Sequence, residues 1–129
     1  MAKVIRITRH PADEARVSAL RDAFGVETEV IDDDIAYGDD PAAAVLGLIE
    51  KHGDVVAIEV VAPIPVLAKL TAARRQLGDV LILRAEFQRG ADGRAVVVSK
   101  DATGRDVFGF GHYDVIELVR VETRPLKKA

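Results

Sequence analysis

At 129 residues, with 49% apolar and 30% charged side chains, the chain has the length and balance of one globular domain. It contains no cysteine, which excludes disulfides, thiolate metal sites and a cysteine nucleophile. The net charge of −3 speaks against a domain that coats duplex DNA or RNA, while leaving room for a small anion held by local cations. Aromatic residues are only 5%, so the apolar weight is aliphatic, as in buried strands alternating with helices. With no basic leader followed by an apolar stretch and no apolar run near ~18 residues, a cytoplasmic protein with no membrane partner is expected.

The first strand is expected over residues 4–8, rich in β-branched side chains. Pro11 then fits the first position of a helix, with Asp13 and Glu14 in its first turn and Gly25 as its stop. A second strand follows at about 27–31. The acidic stretch from Asp32 to Asp40 lacks the spacing of a calcium loop and reads as a solvated connection, with Asp40-Pro41 opening a second helix to His52-Gly53. Residues 55–61 form the most strand-like segment, nearly continuous in apolar residues as in a central parallel strand. A third helix is expected from the Pro63-Ile64-Pro65 turn to about Gln76, then a fourth strand over 80–87.

Alternating strands and helices predict an α/β Rossmann-like three-layer sandwich spanning residues 1–129, its mostly parallel sheet ordered 2-1-3-4. The last third is different. Gly90-Ala91-Asp92-Gly93 reads as a hairpin turn between 80–87 and 95–99, and strands are expected over 107–110 and 115–121. These predict antiparallel strands at the C-terminal edge, ending in a solvated tail at Pro125 and Lys127-Lys128.

In such a sheet, ligands bind beyond the carboxyl ends of the strands, where strand order reverses. That places Thr8, Arg9 and His10 opposite Pro63, Ile64 and Pro65. Arg9 offers a planar fork of donors for phosphate, His10 can transfer protons near neutrality, and Thr8 adds a hydroxyl. Backbone N–H groups of a helix starting at Pro11 would add to an anion site, although Asp13 and Glu14 compete for that helix end. The plainer reading is a His-Pro helix entry with an exposed arginine. Lys69 is a further candidate anion contact, although with Arg74 and Arg75 it also reads as a solvated helix face. His52 reads as a residue favouring a helix C-terminus.

Arg6, Glu59 and Arg84 interrupt apolar strands. Unpaired charges inside a sheet are costly, so a cross-strand salt-bridge cluster of all three is expected. Gly109-Phe110-Gly111-His112-Tyr113 suggests a bulge or a close backbone approach. There His112 and Tyr113 complete a site, mark a dimer seam, or belong to an ordinary turn. No metal-ligand cluster and no phosphate-binding glycine loop is evident, so no cofactor is assigned.

Two resemblances follow from these residues. A strand running into Ile7-Thr8-Arg9-His10-Pro11 resembles the histidine phosphatases, whose strand ends in Arg-His-Gly with a nucleophilic histidine; Pro11 replaces that glycine. More broadly, the Thr-Arg-His-Pro turn, the strand from Gly53 and the Ile64-Pro65-Val66-Leu67-Ala68 helix entry resemble the small CRISPR-associated Rossmann-fold (CARF-like) proteins. This second likeness covers roughly the first ninety residues. It implies a homodimer binding a cyclic oligoadenylate across its two-fold axis, with ring opening by a ribose 2′-hydroxyl as in ring nucleases. On that reading Arg9 contacts phosphate, Thr8 donates a hydrogen bond, and His10 positions the ligand or moves a proton. Two other functions stay open: a non-catalytic Rossmann-like module for a ligand or partner, and a phosphohydrolase using His10.

Overall fold

In the computed structural model, which describes residues 1–126, strands and helices alternate through the first two-thirds of the chain. The elements are β1 (Lys3–Ile7), α1 (Glu14–Phe24), β2 (Glu29–Asp32), α2 (Pro41–His52), β3 (Val55–Val60), α3 (Ile64–Ala72) and β4 (Leu81–Phe87). A 3₁₀ turn at Arg74–Leu77 links α3 to β4. Three short strands follow: β5 (Val97–Lys100), β6 (Asp106–Phe108) and β7 (Phe110–Val115).

The main sheet runs β2-β1-β3-β4-β7, parallel except for β7, which pairs antiparallel to β4 at the edge. This is the Rossmann-like order expected from the sequence. After β1 the chain moves one way to β2 and then reverses past β1 to β3. Right-handed crossovers in opposite directions place their helices on opposite faces of a sheet. Accordingly, Ile5, Ile7, Ile58, Val60 and Ile82 pack with Val45 and Leu48 of α2 and Leu67 and Leu70 of α3. Val4, Ala57 and Leu83 point the other way and pack with Leu20 of α1. Strict alternation of side chains along each strand thus builds two cores on one sheet.

Helix ends follow local chemistry. Asp40 caps α2 by accepting from Ala43 N, with Pro41 in the first turn. Gly25 closes α1, its N–H donating to the Arg21 carbonyl. The start of α1 differs from expectation: Asp13, not the residue before Pro11, is the cap, accepting from Arg16 N at 2.8 Å. Pro11 therefore lies in the loop. The amides of this helix end are set back from His10 and already face a carboxylate, which weakens the anticipated backbone cradle.

The C-terminal third carries three corrections. The turn at 90–93 does form, with Gly90 N–H donating to Arg94 O and a single bridge between Arg89 and Ala95. The chain then diverges, so β5 pairs with β6 in a separate two-stranded arm and β7 takes the place beside β4. The expected strand at 107–110 breaks at Gly109, between β6 and β7. The expected strand at 115–121 does not form: β7 covers Phe110–Val115, and the chain leaves β4 after Ile116. Val115 pairs with Leu83, Ile116 N–H still reaches Ile82 O, and Val119 N–H turns to Thr71 Oγ1 on α3. Lys127 and Lys128 of the anticipated tail lie outside the described residues.

Gly109 and Gly111 make that crossing possible. A Cβ on Gly111 would stand 3.0 Å from the Phe87 backbone, and one on Gly109 would stand 2.9 Å from Val98 Cγ1. The close backbone approach anticipated for this stretch is therefore present, next to a register shift between Glu86 and Phe87. Among the described residues, no helix is long and apolar enough to cross a membrane.

Candidate functional site

A cleft of about 780 Å³ opens at the carboxyl ends of β1, β3 and β4, spanning the reversal of strand order. Its floor holds Arg6 and Glu59, and its near wall Thr8, His10 and Arg16. Ile64 and Leu67 line it from α3, and Val107 and Phe108 line it from the β5–β6 arm. Phe87 and Phe108 also meet there as a tilted aromatic pair, centroids 5.3 Å apart.

The floor is a buried ionic network. Arg6 and Glu59 are register partners on β1 and β3, so their side chains leave the sheet on one face. Arg6 Nε donates to Glu59 Oε1 at 2.8 Å, and both residues are 2% exposed. Arg6 Nη1 also donates to Asp32 Oδ1 and to the His10 carbonyl, each at 2.9 Å. Burial opposes the guanidinium charge, but the pairs with Glu59 and Asp32 prevail and raise its pKa. Tyr113 on β7 completes the network by donating its hydroxyl to Glu59 Oε1. Burial and the adjacent Glu59 carboxylate push the Tyr113 phenol well above its ordinary range, so it remains a donor.

Arg84 does not join this network, contrary to the expected three-residue cluster. Glu59 pairs in register with Leu83, which places Arg84 on the opposite face of β4. There it binds Glu86 Oε1 and is half exposed.

The Thr8–His10 turn is held from inside: Thr8 Oγ1 accepts from His10 N, while Arg6 fixes the His10 carbonyl. Thr8 is buried and His10 exposed, and both line the cleft. Arg9 points elsewhere, 90% exposed and paired with Asp34. Ile64 lines the cleft between Pro63 and Pro65, which frame the start of α3. Lys69 is an exposed residue of α3 and does not line it. His112 stands outside too, paired with Asp114, because it alternates with Tyr113 along β7. Of the expected site residues, Thr8, His10 and Ile64 therefore line the cleft, and Arg9, Pro63, Pro65, Lys69 and His112 do not.

The acidic connection is ion-paired rather than simply solvated. Asp32 meets Arg6, Asp34 meets Arg9, and Asp33 accepts from both His52 and Lys51 at the end of α2. Hydrogen bonds from His52 and then Lys51 hold the Asp33 carboxyl below its ordinary pKa. Three consecutive carboxylates thus turn to four partners, two of them shared by Asp33. Among the described residues, no three His, Asp or Glu side chains stand together as metal ligands.

Arg16, Phe87 and Phe108 line the cleft and Tyr113 braces Glu59 from behind its floor; the strand-end rule picked out none of the four. Arg16 stacks over Phe110, its guanidinium carbon 5.0 Å from the ring centre, while pairing with Asp13. Only Tyr113 carried a sequence signal, its place beside the two strand-interrupting glycines. By architecture the chain is a Rossmann-like α/β protein with a strand-end cleft. Comparison with protein-family models, with curated proteins and with solved structures finds no match.

Proposed function

We propose that this chain binds a nucleotide-type ligand in the strand-end cleft, with cyclic oligoadenylate as the class implied by its resemblance to the CRISPR-associated Rossmann-fold proteins. The observation that carries the reading is one cleft combining an aromatic pair with arginine, histidine and carboxylate side chains, at the reversal of strand order. A base stacks against Phe87 and Phe108. Phosphate lies at the mouth, where His10, Arg16 and the half-exposed Arg84 supply positive or proton-donating groups.

Ring opening, where it occurs, proceeds by attack of a ribose 2′-hydroxyl oxygen on the adjacent phosphorus. The 2′-hydroxyl gives up its proton as the O2′–P bond forms, the P–O5′ bond breaks, and the departing O5′ takes a proton, leaving a 2′,3′-cyclic phosphate and a 5′-hydroxyl. His10 is the proton-transfer group on the cleft wall, and Thr8 positions the phosphate. A homodimer would place two such clefts across its axis, where the outward-facing Arg9 reaches a ligand larger than one cleft.

The experiment is calorimetric titration with cyclic tetra-adenylate and cyclic hexa-adenylate, with EDTA present, and chromatography of the products. Saturable binding supports the reading, and linear products that disappear in His10→Ala add catalysis. Binding without turnover assigns a regulatory module. Hydrolysis of p-nitrophenyl phosphate through a phosphohistidine, with no adenylate bound, replaces the proposal by a phosphatase.

A further inference from the structure

Glu59 is a carboxylate buried in the central strand, and only half of its accepting capacity is used. Arg6 Nε and Tyr113 Oη both donate to Oε1. Oε2 has no hydrogen-bond partner among the described residues. Yet among those residues Tyr37 Oη is the side-chain polar atom that is both sealed from solvent and unpartnered. Glu59 lines the cleft, so Oε2 opens onto it.

We infer that Glu59 Oε2 is a specificity-determining acceptor for an N–H or O–H donor on a planar ring bound in the cleft. The charge around it points the same way. One guanidinium is shared between two carboxylates, Glu59 and Asp32, so the floor repels an anion and suits a donor or a cation. Phe87 and Phe108 supply the face for a ring in the same cleft. For a nucleotide the donor is an exocyclic amino group or a ribose hydroxyl, and this part of the inference rests on the function proposed above. The acceptor itself does not depend on it.

Glu59→Gln is the test that isolates the atom. Its amide oxygen can keep the bonds from Arg6 and Tyr113, while the cleft-facing acceptor becomes an NH₂ donor. Thermal unfolding of the variant establishes that the fold is retained. The primary probe is benzamidinium, a planar cation with N–H donors and neither ribose nor phosphate, compared with benzoate by ligand-observed NMR. Benzamidinium should bind the wild-type chain and bind Glu59→Gln about tenfold or more weakly, whereas benzoate should not compete. Tyr113→Phe leaves Oε2 in place and should change benzamidinium affinity by less than about threefold.

Adenosine monophosphate, its 2′-deoxy form and purine riboside monophosphate then identify the donor. The analogue lacking the recognised group should lose about tenfold against the wild type and nothing further against Glu59→Gln. Equal benzamidinium binding to wild type and Glu59→Gln overturns the inference, whatever the adenylates do. Benzamidinium binding that needs Glu59, with no adenylate bound, upholds the acceptor and overturns the nucleotide reading alone.

Discussion

Arg6 and Glu59 face each other in register on adjacent parallel strands, their side chains joined at 2.8 Å with almost no solvent contact. Removing Arg6 strands the Glu59 carboxylate in the sheet, and removing Glu59 leaves the buried guanidinium with Asp32 as its one carboxylate partner. Glu59→Ala and Arg6→Ala should each lower stability by about 3–5 kcal/mol, read from urea unfolding midpoints. The double change Arg6→Met with Glu59→Leu should recover most of that loss, because no buried charge is left unpaired. Its failure to recover would mean that the pair contributes more than mutual neutralisation.

Two glycines of different surroundings should respond in opposite directions to one added methyl group. Gly47 is an exposed interior position of α2 where an added Cβ would meet nothing within 4 Å, so Gly47→Ala should stabilise by about 0.5–1 kcal/mol. Gly111→Ala drives a Cβ onto the Phe87 backbone and should cost about 1–3 kcal/mol. Paired thermal melts give both signs in one experiment.

The Asp33 carboxyl has a folded pKa below its ordinary value, because His52 and Lys51 donate to it. A depressed carboxylate pKa contributes stability above the unfolded value and loses it as pH falls through the folded one. The wild-type advantage over Asp33→Asn should therefore be steady near pH 5 and shrink below about pH 4. Unfolding midpoints measured from about pH 2.5 to about pH 6 test this; a constant gap would remove Asp33 from the acid response.

Placement separates two neighbours in the 8–11 turn. His10 lines the cleft, whereas Arg9 is 90% exposed and paired with Asp34. For a ligand confined to one cleft, His10→Ala should weaken binding about tenfold and Arg9→Ala less than about twofold. A loss at Arg9 equal to that at His10, measured by titration with cyclic tetra-adenylate, would show a ligand reaching beyond one chain.

The architecture was readable because its causes are local. Apolar runs such as residues 55–60 mark central strands, and Asp40-Pro41 and Gly25 punctuate helices through bonds to near neighbours. The alternation of strands and helices then limits the sheet to few orders. Local signals also mislead where two compete, as at Pro11 and Asp13. There the carboxylate that could reach a free amide set the helix start.

The network around the cleft floor was only partly legible. Lone charges at Arg6 and Glu59 require partners, and that much follows from the sequence by itself, because an ion in an apolar strand must be neutralised. Which side chain joins them does not. Arg84 and Tyr113 were both available, and the choice depended on whether each fell an even or odd number of positions from a paired residue. Register between strands far apart in sequence sets that parity: Leu83 stands opposite Glu59, while Tyr113 lies 54 residues from it. A shift of one residue turns every side chain to the other face. The strand-end position of the cleft was therefore written in the order of elements, and its chemical floor was decided only when the strands paired.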